Sequence, residues 1–71
     1  MNEPKRQDIK NELLAVRDAI IKNGDDPAMQ LSGYILSEDP IYIPDIDGAR
    51  SIVRGLDRDD ILTELINEYF K

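Results

Sequence analysis

Residues 38–44 read Glu38-Asp39-Pro40-Ile41-Tyr42-Ile43-Pro44, and their reading decides the fold. Two prolines four positions apart exclude a helix through the segment, and each pushes the residue before it, Asp39 or Ile43, toward extended backbone. Ile41 and Ile43 alternate with Tyr42 as in a short strand, but the sequence offers no second strand to pair with them. The segment is therefore expected to be a rigid extended connector that lays its apolar side chains onto helices on either side.

Upstream of the connector, Asp25-Asp26-Pro27 opens a helix over Pro27 to about Ser37. Asp26 can accept hydrogen bonds from the free backbone donors of the first turn, and proline has the backbone angle wanted at the first helical position. Ala28, Leu31, Ile35 and Leu36, with Tyr34, form its expected buried stripe. Gly33 costs ~1 kcal/mol relative to alanine inside a helix, which predicts that another helix approaches its bare backbone closely. Further upstream, Ile9, Leu13, Val16 and Ile20 recur at helical spacing from Lys5 to Asn23, flanked by Leu14, Ala15, Ala19 and Ile21. Pro4 suits the first turn of this helix, and Asn23-Gly24 suits its end.

Downstream, Asp47 is expected to cap a third helix over about Gly48 to Gly55, with Ala49, Ile52, Val53 and Leu56 facing inward. The last helix, about Asp57 to Phe70, places Asp57, Asp59 and Asp60 at its positive end. Its pairs Ile61/Leu62, Leu65/Ile66 and Tyr69/Phe70 repeat every four residues and call for a covering surface, one that a second subunit would supply. The fold class is thus all-α, about four short helices in one compact bundle spanning residues 1–71. A core in so short a chain rarely supplies more than ~3–5 kcal/mol, and the chain has neither cysteine for a disulfide nor histidine for a zinc site. Completion by homodimerisation is the expectation.

The chain has 9 Lys+Arg against 15 Asp+Glu, a net charge of −6. Residues 1–24 are net +1 and residues 25–71 are net −7, so the first helix either lies against acidic partners in its own chain or another copy or presents a solvated mixed-charge face. The absence of cysteine and histidine removes thiol nucleophiles and any Ser-His-Asp triad. Asp57-Arg58-Asp59-Asp60 is rich in oxygen donors but lacks the spacing of a calcium loop, so capping accounts for it and neither metal nor cofactor is expected. Asp45 and Asp47 would need a pKa-shifting pocket to work as an acid/base pair, and short helices leave little room for one. Two short helices joined at Gly55-Leu56 resemble a helix-turn-helix, the competing reading. Against it, Arg50, Arg54 and Arg58 face eleven acids in the same part of the chain, so nucleic acid is not an expected partner. Arg58 is expected to pair with neighbouring acids, while Arg50 stands open between such pairing and contact with an anionic partner. No apolar run approaches the ~20 residues of a membrane span, and Met1 to Arg6 carries no signal-peptide pattern, which suits the cytoplasm.

Taken together, Gly33-Tyr34-Ile35-Leu36-Ser37, Asp39-Pro40, Tyr42-Ile43-Pro44, Ala49-Arg50 and Leu56-Asp57-Arg58-Asp59-Asp60-Ile61 resemble the core pattern of the IreB family of regulatory phosphoproteins. The resemblance runs from about Asp8 onward, through Gly24, Asp26-Pro27 and Gln30 and on to Glu64-Leu65 and Tyr69. It implies a small helical homodimer of Gram-positive bacteria, not an enzyme. It also implies a link to a transmembrane Ser/Thr kinase that monitors the cell wall, to its phosphatase and to intrinsic cephalosporin resistance. Partners implied are the kinase and phosphatase or a downstream regulatory protein. The family carries its phosphorylated threonines on an N-terminal extension, whereas no threonine precedes Thr63, so either a short variant without that extension or a truncated piece of a longer chain is expected. Glu38, Asp45 and Gly48 depart from the family's usual glycine, basic residue and aspartate, which makes the connector more acidic.

Among residues that accept phosphate, Ser32, Ser51 and Thr63 fall inside expected helices and Ser37 falls at a helix end, leaving Ser37 and Thr63 as candidates. The expected partner or dimer surface comprises Asp39, Pro40, Tyr42, Ile43, Pro44 and Arg50 around the connector, with Leu65 and Tyr69 on the last helix. A proline-stiffened segment loses little entropy on docking, and Tyr42 combines a large contact area with a polar tip. The alternative is that Tyr42, Ile43 and Pro44 close the protein's own core or dimer seam.

Overall fold

The computed structural model describes the backbone of residues 6–71 and side chains from residue 8 onward. The expected helix start at Pro4 and Lys5 lies outside the described residues. Four helices follow in order, α1 (Arg6–Lys22), α2 (Pro27–Ser37), α3 (Ala49–Arg54) and α4 (Arg58–Tyr69), with a 3₁₀ turn at Pro40–Tyr42 between α2 and α3. No strand occurs among the described residues, as the sequence required.

The stripe of α1 is the centre of the core: Ile9, Leu13, Val16, Ala19 and Ile20 are buried, and α1 packs against α2, α3 and α4. Leu14 and Ile21, which flank the stripe, are exposed. Asn23-Gly24 ends the helix as read. Gly24 adopts φ +85°, its N–H donates to the Ile21 carbonyl at 2.9 Å, and the Asp25 N–H donates to the Ile20 carbonyl at 3.0 Å. These two bonds form the Schellman arrangement, in which a left-handed residue turns the chain back over the last carbonyls.

At the start of α2, the Asp26 carboxylate accepts from the Met29 N–H at 3.1 Å. The other end of α2 uses chemistry the sequence did not announce. Glu38 takes the left-handed position, φ +64°, and its N–H donates to the Tyr34 carbonyl at 2.7 Å. Ser37 Oγ donates to the Gly33 carbonyl at 2.7 Å, and Arg58 Nη1 donates to the Ile35 carbonyl at 2.5 Å. Two of the last four carbonyls of α2, those of Tyr34 and Ile35, are thus satisfied, the second by a residue 23 positions away.

Four expectations are corrected. The connector is not extended throughout: Asp39 and Ile43 are, but Pro40 begins a 3₁₀ turn whose N–H donor at Ile41 is capped by the Asp39 carboxylate at 3.1 Å. Asp47 does not cap α3. It stands at φ +52° beside Gly48 at φ +73°, and the Ala49 N–H donates to the Ile46 carbonyl at 2.9 Å. Two consecutive positive φ angles inside such a bond are the arrangement of a type I′ turn, leaving the Asp47 carboxylate free to pair with Lys22 at 3.1 Å. Gly33 is approached not by a helix but by the Tyr42 ring. Finally, Leu36 and Ile41 are exposed rather than buried.

The connector nevertheless contributes one central core residue. Ile43 is fully buried with Ala49 and Val53 of α3 and Ile61 of α4, a burial worth up to ~3 kcal/mol. The buried Tyr34 hydroxyl donates to the Val53 carbonyl at 3.3 Å, tying α2 to α3. The cationic first helix does face acids of its own chain, with Lys22 on Asp47 and Lys10 on Glu68 at 3.6 Å.

Candidate interaction surface

Two apolar surfaces remain after the core is assembled. The first arises on α4. Its inward residues are Ile61 and Glu64, three apart, and this rotates the helix so that Leu62, Leu65, Ile66, Tyr69 and Phe70 stay exposed. The repeating pairs gave no hint that Glu64 would take a buried position. Leu62 and Leu65 instead form one wall of a cleft of about 460 Å³ whose other walls come from Leu13 and Leu14 of α1 and Leu31 and Ile35 of α2. At the far end of α4, the Tyr69 and Phe70 rings meet edge to face with centroids 5.0 Å apart.

The second surface lies on another side of α2. Met29, Gly33 and Leu36 are four and three residues apart and so share one side, distinct from the cleft-lining Ala28, Leu31 and Ile35. The 3₁₀ turn is laid on this side. Gln30 Nε2 donates to the Tyr42 carbonyl at 2.9 Å, and the ring of Tyr42 rests against Gly33. Asp39 N–H donates to Ser37 Oγ at 3.0 Å, which joins the end of α2 to the start of the turn.

The site residues expected from sequence divide accordingly. Asp39 and Pro40 start the 3₁₀ turn and Tyr42 ends it. Pro44 is half-buried. Ile43 has no exposed area and offers no side chain to a partner, so for this residue the alternative of closing the protein's own core holds. Arg50 is half-buried, its Nε donating to the Ile43 carbonyl at 3.0 Å and its Nη1 lying 3.9 Å from Asp45, so it braces the connector internally. Leu65 and Tyr69 lie on the exposed side of α4, away from the connector group. Arg58 is also corrected, since its partners are not neighbours on α4 but Glu38, at 2.6 Å, and the Ile35 carbonyl. Ser37 is exposed with its hydroxyl in two hydrogen bonds, and Thr63 is exposed in the middle of α4.

Charge adds a further observation. No Lys or Arg occurs between Lys22 and Arg50, a stretch holding six acids. Three of these acids are ion-paired, Glu38 to Arg58, Asp45 to Arg50 and Asp47 to Lys22, while Asp26 and Asp39 at the two ends of α2 enter no ion pair among the described residues. The gap itself was available in the sequence, hidden by averaging over residues 25–71.

Glu68, on the exposed end of α4, has its carboxyl held below the ordinary value of 4.5, chiefly by a hydrogen bond from Lys71 and further by the charge of Lys10. Among the described residues no group of carboxylates is arranged to hold a metal ion, and no helix is long and apolar enough to cross a membrane. A pair of exposed apolar surfaces on a small helical frame suits contact with other proteins. The family model for the IreB regulatory phosphoprotein matches residues 1–71, the whole length of the sequence, and the chain belongs to that family.

Proposed function

We propose that this protein is a non-enzymatic, cytoplasmic regulator in a Ser/Thr kinase and phosphatase pathway that governs cell-wall stress and intrinsic cephalosporin resistance in a Gram-positive bacterium. Family membership supports the regulatory part of this reading. Its action is binding, to the kinase, the phosphatase or a downstream protein, and its working form is a homodimer. The observation that carries the dimer is the cleft between Leu14 of α1, Ile35 of α2 and Leu65 of α4, bordered by the exposed Leu62 and Ile66. An apolar surface of this kind on a chain with so small a core favours a second copy.

Sedimentation of the wild type against Leu65→Glu tests the dimer: Leu65 is 38% exposed, so the variant retains its fold while losing the seam. A Leu65→Glu protein that sediments as a dimer removes this seam. Incubation with the wall-sensing kinase, followed by intact-mass and site mapping, tests the pathway. Phosphate on Ser37 or Thr63 supports direct input to the folded domain, while an unmodified protein that still captures the kinase or phosphatase supports a binding role. Failure of both modification and capture overturns the pathway reading. Two of the three arginines behind the nucleic-acid alternative, Arg50 and Arg58, are engaged with carbonyls and carboxylates of the protein itself, leaving the exposed Arg54.

A further inference from the structure

The side of α2 that carries the 3₁₀ turn has the makings of a docking platform. Met29, Leu36 and Ile41 are 69%, 85% and 72% exposed, and the Tyr42 ring sits between α2 and the turn at 37%. Large apolar side chains left this open on a small domain mark a contact surface. The platform is stiff. Asp26 caps α2, Asp39 caps the turn, Gln30 holds the Tyr42 carbonyl and Gly33 seats the ring. A partner docking here orders little that is not already ordered, which favours affinity.

Charge identifies the partner's chemistry. The Asp26 carboxylate lies 3.1 Å from the Met29 nitrogen and the Asp39 carboxylate 3.1 Å from the Ile41 nitrogen, so an exposed acid stands beside two of the apolar anchors. The segment contributes no cation of its own, and the two arginines that reach it from α3 and α4 are committed to Asp45 and Glu38. Among the described residues Asp26 and Asp39 are in no ion pair, and each accepts a hydrogen bond from a backbone donor. A second copy is a poor occupant, since two such surfaces placed face to face oppose acid to acid.

We infer that the Met29, Leu36, Ile41 and Tyr42 surface binds a basic amphipathic segment of a partner protein, whose apolar side chains cover these anchors and whose Lys or Arg residues meet Asp26 and Asp39. This helix-against-surface mode needs only anchors at helical spacing and flanking cations. The inference rests on the regulatory-binding reading only in taking the partner to be a protein, and it is independent of the dimer seam on α1 and α4.

The test is a titration of the nitrogen-15-labelled 71-residue chain with a synthetic helical peptide of about 16 residues, long enough for four turns, with leucines at i, i+4 and i+7 and lysines elsewhere. The same peptide with glutamate for lysine is the control. The expected result is saturable amide shifts at Met29, Gly33, Leu36, Ile41 and Tyr42 with the lysine peptide alone, weakening at least about threefold as salt rises from about 50 to about 300 mM. Asp26→Asn combined with Asp39→Asn keeps both caps, because asparagine caps as well as aspartate, and is expected to weaken binding about fivefold at unchanged helicity. Leu36→Asp is expected to abolish binding and leave sedimentation unchanged. The inference is overturned by absent saturation, by shifts centred on Leu14 and Leu65, by equal binding of both peptides, by indifference to the paired asparagine variant, or by Leu36→Asp dissociating a dimer. Shifts at Leu14 and Leu65 and dissociation by Leu36→Asp bear on the dimer seam and the other three outcomes do not, so failure here and failure of the proposed function are separable.

Discussion

The Tyr42 ring lies so close to the backbone of Gly33 that a Cβ built on the glycine meets ring atoms Cε1, Cδ1 and Cζ at 2.5, 2.6 and 2.9 Å. Gly33→Ala therefore sets two effects against each other. Helix propensity favours alanine by ~1 kcal/mol, while displacement of the ring costs packing and loosens the 3₁₀ turn. The expected outcome in wild type is a loss of up to about 1 kcal/mol in urea denaturation followed by circular dichroism. In a Tyr42→Ala background the same change is expected to stabilise by ~1 kcal/mol, because the obstacle is gone. Additive effects in this double-mutant cycle would show that ring and glycine are not coupled.

Arg58 and Glu38 give the second prediction. Arg58 closes the end of α2 through the Ile35 carbonyl and pairs with Glu38. Arg58→Met keeps much of the side chain's apolar length but removes the charge-assisted bonds, and a loss of ~1–2 kcal/mol is expected. Glu38→Gly removes only the exposed pair, worth ~0.2–1 kcal/mol, and relieves a left-handed backbone that costs ~1 kcal/mol or more in any residue with a Cβ. The glycine variant is expected to be at least as stable as wild type by thermal melt, opposite in sign to Arg58→Met.

These two sites show where the sequence was legible. α1 and the start of α2 were readable because an apolar stripe, a capping aspartate, a helix-opening proline and an Asn-Gly stop are all local signals, confined to a turn or two of chain. Ala49 and Val53 were placed in the core for the same reason. The end of α2 was not readable, since its cap is Glu38 in a backbone conformation aspartate or asparagine tolerates better, completed by an arginine from another helix. Gly33 announced a close approach but not what approaches, because the ring comes from a turn nine residues on. On α4 the regular apolar pairs pointed to burial, whereas the helix turns Glu64 inward and leaves its leucines facing a cleft and solvent. Of the residues expected at the candidate surface, Ile43 is core and Arg50 a brace of the connector. Met29 and Leu36 were missed, as one was not counted and the other was assigned inward.

The two aspartates at helix starts are expected to differ. Asp26 accepts a bond from the Met29 N–H, so Asp26→Ala should cost ~1 kcal/mol. Asp57 occupies the corresponding place before α4 without a side-chain capping bond, and Asp57→Ala should cost only the few tenths of a kcal/mol due to a charge near the helix dipole. Chemical denaturation of the two variants in parallel checks the ranking; equal losses would contradict it.

Acid titration probes the contact between the ends of α1 and α4. The Glu68 carboxyl is depressed below 4.5 in the folded protein, mainly by Lys71 and then by Lys10. Stability from this group is therefore fully present above pH 4.5, its unfolded value, and is lost as the pH falls through the lower folded value. Glu68→Gln should lower the melting temperature slightly at pH 7, and the difference from wild type should vanish in strong acid. Added salt should shrink it at pH 7, since the pair is exposed. A difference that persists unchanged in acid would assign it to something other than the charge.

The packing of α1 sets a constraint on how the molecule comes into being. α1, made before the other three described helices, holds the central stripe of the core, yet its principal partners are α3 and α4, residues 49–69. Until those residues have been made, Val16 and Ile20 have little to rest against, and α1 emerges as a lone amphipathic helix of 17 residues near the lower limit for independent stability. Nascent chains of this protein thus expose their stickiest surface early and cover it last, so the speed with which α3 and α4 follow governs how much of the product escapes aggregation.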